Sequence, residues 1–87
     1  MASNHHVLIY ALTTCVHCRH VKDFLEKNNT PYQIVYVDTL EGKDRSEILE
    51  KMRSVNPRIS FPTIVIDEGR EVIIGFQPQR LSRVIAV

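Results

Sequence analysis

Residues 7–18 have the sequence VLIYALTTCVHC, in which a short apolar run is followed, after a four-residue linker, by two closely spaced cysteines. The run at residues 7–10 is continuous and rich in β-branched and aromatic side chains, which is typical of a buried strand. From residue 16 to about residue 27, apolar residues recur at the spacing of one helical face. This stretch therefore predicts a strand, a short loop and a helix that begins around the cysteines.

The predicted helix has signals at both ends. Thr14 precedes it and is a candidate for its N-terminal cap. Residues 28–31, Asn-Asn-Thr-Pro, end it, because proline cannot continue a helix and asparagine tolerates the left-handed conformation common at helix ends. Its apolar face comprises Val21, Phe24 and Leu25. We expect this face to be buried against the strands.

The rest of the chain continues the alternation of strands and helices. Three further apolar runs predict strands, at residues 34–37, 64–66 and 72–74. Two amphipathic segments predict helices, one with Ile48, Leu49, Met52 and Val55 on its apolar face, and a last one, opening at residues 77–78, with Leu81, Val84 and Ile85 facing inward. The first strand, helix and strand form a β-α-β unit with parallel strands, whereas the short linker at residues 67–70, which contains a glycine, predicts an antiparallel hairpin.

These elements predict an α/β fold in the order β-α-β-α-β-β-α, with a mixed four-stranded sheet flanked by helices. Eighty-seven residues allow only one small domain, which we assign to residues 1–87. We expect the faces that carry Phe24, Leu25, Leu49 and Ile85 to be buried together in one core.

Composition excludes several classes of function. Hydrophobic residues make up 44% of the chain, which is too many for a disordered protein, and no apolar run approaches the ~20 residues of a membrane span. A net charge of +1 favours neither nucleic acid nor membrane binding. The N-terminal residues lack Lys and Arg, so we expect no secretory signal. We also expect the protein to be cytoplasmic and monomeric.

The only two cysteines, Cys15 and Cys18, are separated by two residues. A disulfide that closes so small a loop removes little chain entropy, so the pair is present for chemistry rather than for stability. A helix N-terminus stabilises a thiolate, and two intervening residues let the second sulfur reach the first within one helical turn. The sequence therefore predicts Cys15 as the nucleophile and Cys18 as the resolving thiol.

Charged residues around the pair support a thiolate. No Asp or Glu occurs before Asp23, whereas Arg19 and Lys22 follow the cysteines directly. We expect His17, which lies between the cysteines, to be exposed and to tune the reduction potential, and His20 to be a solvated helix residue. The other two histidines, His5 and His6, are expected to belong to a frayed terminus.

The sequence is also compatible with other uses of the same cysteines. The pair could form half of a zinc site, with His17 or His20 as a further ligand, although a structural zinc site usually needs four ligands and no second cysteine pair is present. A dimer could instead bridge an iron–sulfur cluster through Cys15 and glutathione. An inert structural pair is disfavoured by the position at a helix start.

Three segments resemble those of glutaredoxins, small members of the thioredoxin-fold superfamily. Cys15-Val16-His17-Cys18 resembles their active-site motif, and Ser60-Phe61-Pro62-Thr63 is similar to the Thr-Val-Pro segment before their third strand. Gly75-Phe76-Gln77-Pro78 resembles the Gly-Phe-Arg-Pro segment of the glutaredoxin-like redoxins that serve ribonucleotide reductase. The resemblance extends over nearly the whole chain. It implies a thioredoxin-like fold and thiol–disulfide oxidoreductase activity.

The resemblance also implies which residues contact substrate. The cysteines are catalytic, and the residues implied to bind substrate are Val16, His17, Phe61, Pro62, Thr63, Gly75 and Phe76. The bond before Pro62 is implied to be cis, which lets the backbone there pair with an extended substrate. No metal or organic cofactor is implied. The implied partners are a disulfide-containing protein substrate and, as electron source, either glutathione as a co-substrate or a thioredoxin reductase.

Two departures from the family pattern concern glutathione. Many glutathione-using members have a lysine shortly before the first cysteine, where this chain has Leu12, Thr13 and Thr14. They also have Gly-Gly and an acidic residue after the fourth strand, where this chain has Gly75 followed by Phe76. We therefore expect weak glutathione binding, and a protein reductase or protein substrate as the better partner.

Overall fold

A mixed four-stranded sheet forms the centre of the computed structural model, which describes residues 5–85. The elements are β1 (Val7–Ala11), α1 (Val16–Lys27), β2 (Gln33–Tyr36), α2 (Gly42–Val55), β3 (Thr63–Ile66), β4 (Glu71–Ile74) and α3 (Pro78–Ile85). The strand order is β2-β1-β3-β4. β1 pairs with β2 in parallel and with β3 antiparallel, and β3 and β4 form the antiparallel hairpin. The predicted order and mixed sheet are confirmed.

The strands alternate their side chains between two separate apolar clusters. On one face, α1 and α3 cover a cluster that includes Ile9, Ile64 and Leu25. On the other face, α2 covers a smaller cluster around Tyr10 and Met52. Successive residues of a strand point to opposite faces, so neighbouring strand residues necessarily divide between the two clusters.

The expectation of one common core is therefore wrong. Leu49 lies in the α2 cluster, whereas Leu25 and Ile85 lie on the opposite side of the sheet. Phe24 is only half-buried at the edge of the α1–α3 cluster. Helical spacing identifies an apolar face, but it does not say on which side of a sheet that face packs. Among residues 5–85, no helix combines the length and apolar character that a membrane span requires.

The turn between β3 and β4 holds the start of the described chain. Asp67 donates its backbone N–H to the His6 carbonyl at 2.8 Å, and its carboxylate accepts the His6 backbone N–H at 3.0 Å. The His5 Nδ1 lies 2.7 Å from the other carboxylate oxygen. The hydrogen bond from His6, followed by that from His5, lowers the pKa of Asp67. The expectation that His5 and His6 are frayed is therefore wrong, because a carboxylate more than sixty residues away binds them.

Candidate active site

Cys15 is the N-terminal cap of α1. Its backbone is extended (φ −88°, ψ 115°), and its Sγ accepts the backbone N–H of Cys18 at 3.2 Å. The sulfur thereby takes the place of the oxygen that usually caps a helix. The expected cap, Thr14, is wrong by one residue, because the backbone first turns helical at Val16.

The two thiols differ in exposure. Both are reduced, and Cys15 is partly exposed whereas Cys18 is only 2% exposed. Burial, followed by a hydrogen bond with Cys15, raises the pKa of Cys18 to about 12. Cys18 therefore stays a protonated thiol at neutral pH. The accessible sulfur, which receives an N–H of the first helical turn, is that of Cys15.

A carboxylate approaches the cysteine loop from the end of β2. The Asp38 carboxylate accepts a hydrogen bond from the Thr13 backbone N–H, which lies 3.1 Å from each carboxylate oxygen, and another from the Thr13 hydroxyl at 2.6 Å. The hydroxyl bond is the main reason that the pKa of Asp38 is lowered. The carboxylate also adds to the forces that raise the pKa of Cys18.

The absence of Asp and Glu from the first 22 residues therefore does not leave the cysteine loop without a carboxylate, since Asp38 lies beside it. Asp38 follows a strand that is parallel to β1, and the carboxyl ends of parallel strands meet at one edge of the sheet. That topology was available from the β-α-β prediction, so it could have identified Asp38 as a neighbour of the cysteine loop.

The segment before β3 and the end of β4 meet at this same edge. The Phe61–Pro62 bond is cis, as the family resemblance implied. The backbone N–H of Gly75 donates to the Pro62 carbonyl at 2.9 Å, and Gly75 adopts a φ of +83°, which favours glycine. Phe61 and Phe76 both pack against the cluster that contains Cys18.

The residues that the resemblance implies to bind substrate are not equally accessible. Val16 is 58% exposed and His17 is exposed, whereas the side chains of Pro62 and Thr63 are buried. The Thr63 hydroxyl donates to the carbonyl of Ser60 at 2.7 Å. Any substrate contact at Pro62 and Thr63 must therefore use their backbone.

Asn56 supports the segment before β3 and was missed as a site residue in the sequence. Its side chain is 2% exposed, and its Nδ2 donates to Ser60 Oγ at 3.1 Å and to Thr63 Oγ1 at 3.0 Å. The sequence indicated only that residues 56–57 end α2. A buried asparagine at the end of an amphipathic helix is a signal that could have suggested this role, since buried amides need partners.

An aromatic row runs along α1 next to the cysteines. The His17 and His20 rings are 6.2 Å apart, His20 and Phe76 are 5.6 Å apart, and Phe24 and Phe76 are 6.1 Å apart between centroids. His20 is exposed, as expected, but its ring also contacts Phe76. Within residues 5–85, no group of three or more His, Cys, Asp or Glu side chains is placed to hold a metal ion.

Comparisons with known proteins agree on one family. The glutaredoxin family model matches residues 7–71. An uncharacterized glutaredoxin-like 8.6 kDa protein from the rubredoxin operon of Clostridium pasteurianum is 32% identical over 79 residues, which cover 91% of this chain and 96% of that protein.

Solved structures extend the similarity to the whole fold. The glutaredoxin from Methanosarcina mazei Go1 is 35% identical, with a TM-score of 0.85 over 98% of this chain and 88% of that one. The Methanosarcina acetivorans methanoredoxin is 26% identical, with a TM-score of 0.90 over 100% of this chain and 90% of that one. The glutaredoxin-like NrdH-redoxin from Escherichia coli shares the fold, with a TM-score of 0.74 at 22% identity over 94% and 97% of the two chains.

Proposed function

This chain belongs to the glutaredoxin family, and from that premise we propose that it is a thiol–disulfide oxidoreductase that reduces protein or mixed disulfides through Cys15 and Cys18. The observation that carries the proposal is the asymmetry of the two thiols. The partly exposed Cys15 Sγ receives a backbone N–H at the helix start, whereas Cys18 is buried with a pKa raised to about 12. Such an arrangement separates an attacking sulfur from a resolving one.

The reaction begins at Cys15. Its thiolate attacks one sulfur of the substrate disulfide, the S–S bond breaks, and the other half leaves as a thiolate. The N–H groups of the first turn of α1 stabilise negative charge on Cys15 before the attack, because they have no partners within the helix.

Cys18 completes the reaction. It loses its proton and attacks the Cys15 sulfur of the mixed disulfide, which releases the second half of the substrate and leaves a Cys15–Cys18 disulfide. The substrate gains two electrons and the protein loses two. Once Cys15 is covalently bound, it no longer acts as a neighbouring thiol that raises the pKa of Cys18, so the resolving thiol ionises more readily.

Substrate lies along the edge formed by the segments at residues 60–63 and 75–76. The Pro62 and Thr63 side chains are buried, so in this proposal they act through their backbone, while Val16, His17, Phe61 and Phe76 offer side-chain surface. The similarity of residues 75–78 to redoxins that serve ribonucleotide reductase favours a protein disulfide. We place the reaction in the cytoplasm, with the protein acting as a monomer.

The residues after Gly75 at this edge of the sheet bear on which molecule donates electrons to the protein. Gly75 is followed by Phe76 and Gln77 instead of a second glycine and an acidic residue, so the charged ends of glutathione lack their usual partners. Losing one charge-assisted hydrogen bond costs ~1.5–3 kcal/mol, or about ten- to a hundredfold in affinity. We therefore propose a protein reductase rather than glutathione as the better electron donor, with no resident cofactor.

The test compares the wild-type protein with Cys15→Ser and Cys18→Ser. We expect Cys15→Ser to abolish disulfide reduction, and Cys18→Ser to attack mixed disulfides but to remain trapped as covalent adducts with protein substrates. Supplying the oxidised protein with glutathione or, separately, with thioredoxin reductase identifies the donor. Turnover by Cys15→Ser would refute the proposed roles. A robust rate with low millimolar glutathione and none with thioredoxin reductase would refute the proposed donor.

The alternative is a binding module that uses the same cysteines for zinc or for a bridged iron–sulfur cluster. It predicts visible absorbance or stoichiometric metal in freshly purified protein, with loss of either on Cys15→Ser. Metal analysis and a visible spectrum of the purified protein distinguish it from the oxidoreductase.

A further inference from the structure

Strand β4 lies at one side of the sheet, because the order β2-β1-β3-β4 gives it a neighbouring strand on one side only. We call its outer side the β4 edge. The Gly75 N–H donates to the Pro62 carbonyl, and hydrogen-bonded pairs alternate with non-hydrogen-bonded pairs in an antiparallel ladder. The backbone groups of Val72 and Ile74 therefore point away from β3. An unpaired edge of this kind is a template for pairing with a strand of another chain.

Both outward carbonyls of the β4 edge already have side-chain donors. Gln77 Nε2 donates to the Ile74 carbonyl at 2.7 Å, and the Arg80 guanidinium donates to the Val72 carbonyl at 3.3 Å. The same guanidinium nitrogen lies 2.7 Å from a Glu71 carboxylate oxygen, which holds the Arg80 side chain against the edge. Within residues 5–85, no group accepts a hydrogen bond from the N–H of Val72 or Ile74. The β4 edge thus has free donors, but its acceptors are occupied.

We infer that Gln77 and Arg80 close the β4 edge against strand pairing with a second copy of this chain, and that their removal turns the monomer into a dimer. Two copies of one strand pair antiparallel about a two-fold axis, which is the commonest symmetry of protein dimers. With Val72 of one copy opposite Ile74 of the other, each such pair exchanges two backbone hydrogen bonds. Both pairs need the carbonyls that Gln77 and Arg80 occupy, so the dimer forms only when these side chains leave.

The side chains of β4 suit a second copy as the partner. Val72 lies opposite Val65, which belongs to the α2 cluster, so Val72 and Ile74 share that face of the sheet. Ile74 is nevertheless 43% exposed, and Val72 is only half-buried. In the two-fold pairing these side chains of the two copies become cross-strand neighbours, which removes apolar surface from water. Glu71 of each copy lies opposite Gly75 of the other, so the two carboxylates stay at opposite ends of the pair.

The first test measures self-association by sedimentation equilibrium over a range of protein concentrations, with a reductant present so that no intermolecular disulfide forms. We expect the wild type to be monomeric and Gln77→Ala/Arg80→Ala to dimerise. Since one hydrogen bond is worth about two- to tenfold in an equilibrium constant and each chain loses two, the dimer dissociation constant should fall at least about tenfold. Each single variant should lower it less, which keeps the test decisive if the double variant does not fold. An unchanged dissociation constant in these variants would overturn the proposal.

The matched control is Gln79→Ala/Arg83→Ala, which also removes one amide and one guanidinium from α3. Both positions are exposed, and in the described part of the chain neither side chain donates to a β4 carbonyl, unlike Gln77 and Arg80. We expect this control to be monomeric. Association equal to that of Gln77→Ala/Arg80→Ala would overturn the proposal, because the loss of exposed polar groups from α3 would then be a sufficient cause.

The second test locates the interface by amide hydrogen exchange, measured by NMR. In the wild type the N–H groups of Val72 and Ile74 should exchange fast, and in the dimer of Gln77→Ala/Arg80→Ala they should exchange at least about tenfold more slowly. Adding Ile74→Lys to that variant should restore the monomer, because a charged side chain on an edge strand opposes pairing. Association without slower exchange at these two amides, or association that survives Ile74→Lys, would place the contact elsewhere and overturn the proposal.

Discussion

Asn56→Ala removes the amide that ties the end of α2 to the segment before β3. In the structure its Nδ2 donates two hydrogen bonds, to Ser60 Oγ at 3.1 Å and to Thr63 Oγ1 at 3.0 Å, in a site that is 2% exposed. Each such bond contributes ~0.5–1.5 kcal/mol, so the two together are worth about 1–3 kcal/mol. Thr63 Oγ1 still donates to the Ser60 carbonyl, so the loss should not exceed this range.

Equilibrium urea unfolding of the reduced protein measures the effect. A thermal melt is a second measure, because in a domain of this size ~1 kcal/mol corresponds to about 4–8 °C in Tm, so we expect Tm to fall by roughly 4–24 °C. Asn28→Ala is the control, since its side chain also donates through Nδ2, but makes a single hydrogen bond, to the Phe24 carbonyl at 2.8 Å, and lies at an exposed position. We expect that control to cost less than ~1 kcal/mol.

Activity gives the second readout for Asn56. The amide holds the segment whose Pro62 backbone faces substrate in the proposed function, so disulfide reduction should fall in Asn56→Ala even well below its Tm. A stability loss under ~0.5 kcal/mol, or a loss equal to that of Asn28→Ala, would refute the idea that this buried amide organises the segment.

Three further predictions concern stability. Phe24→Ala should cost about 1.5–3 kcal/mol in urea unfolding, less than for a fully buried phenylalanine, because the ring is half-buried; a loss under ~0.5 kcal/mol would contradict its packing against the core. The lowered pKa values of Asp38 and Asp67 stabilise the folded state at pH values above the ordinary carboxyl pKa, and this contribution disappears as pH falls through the folded-state pKa. Asp38→Asn and Asp67→Asn should each make the loss of stability at acid pH less steep. An unchanged acid limb of the stability–pH profile would contradict this. The raised pKa of Cys18 favours the folded state below the ordinary thiol pKa of ~8.5, and this contribution decreases as pH rises toward 12. Reduced Cys18→Ala should therefore lose less stability than the wild type between pH 9 and 11. Parallel stability–pH profiles of the two proteins would contradict this prediction.

The local features of the fold could be predicted from the sequence because they depend on short-range patterns. Apolar runs identified the four strands, and helical spacing identified α1, α2 and α3 to within a residue or two. The strand-to-helix position of the cysteines was also readable, since it depends on adjacent residues. These patterns are set by the backbone periods of strands and helices.

The long-range partners could not be predicted in the same way. Asp38 reaches Thr13 across 25 positions, and Asp67 reaches His5 across 62, so no local pattern contains either pair. Phe24 has the spacing of a core residue, but its ring contact is with Phe76, 6.1 Å away between centroids and far along the chain. Asn56 could be recognised as a helix terminator, but its amide partners lie on a segment whose path depends on the whole sheet.

The central claim is that Cys15 is the attacking thiol and Cys18 the resolving one. The most direct measurement treats the reduced wild-type protein with substoichiometric iodoacetamide at neutral pH and locates the label by peptide mass spectrometry at successive times. With a pKa of about 12, Cys18 is ionised to roughly one part in 10⁵ at pH 7 and is also buried. The account predicts label on Cys15 first, with Cys18 modified at least about tenfold more slowly. Earlier or equal labelling of Cys18 would contradict it.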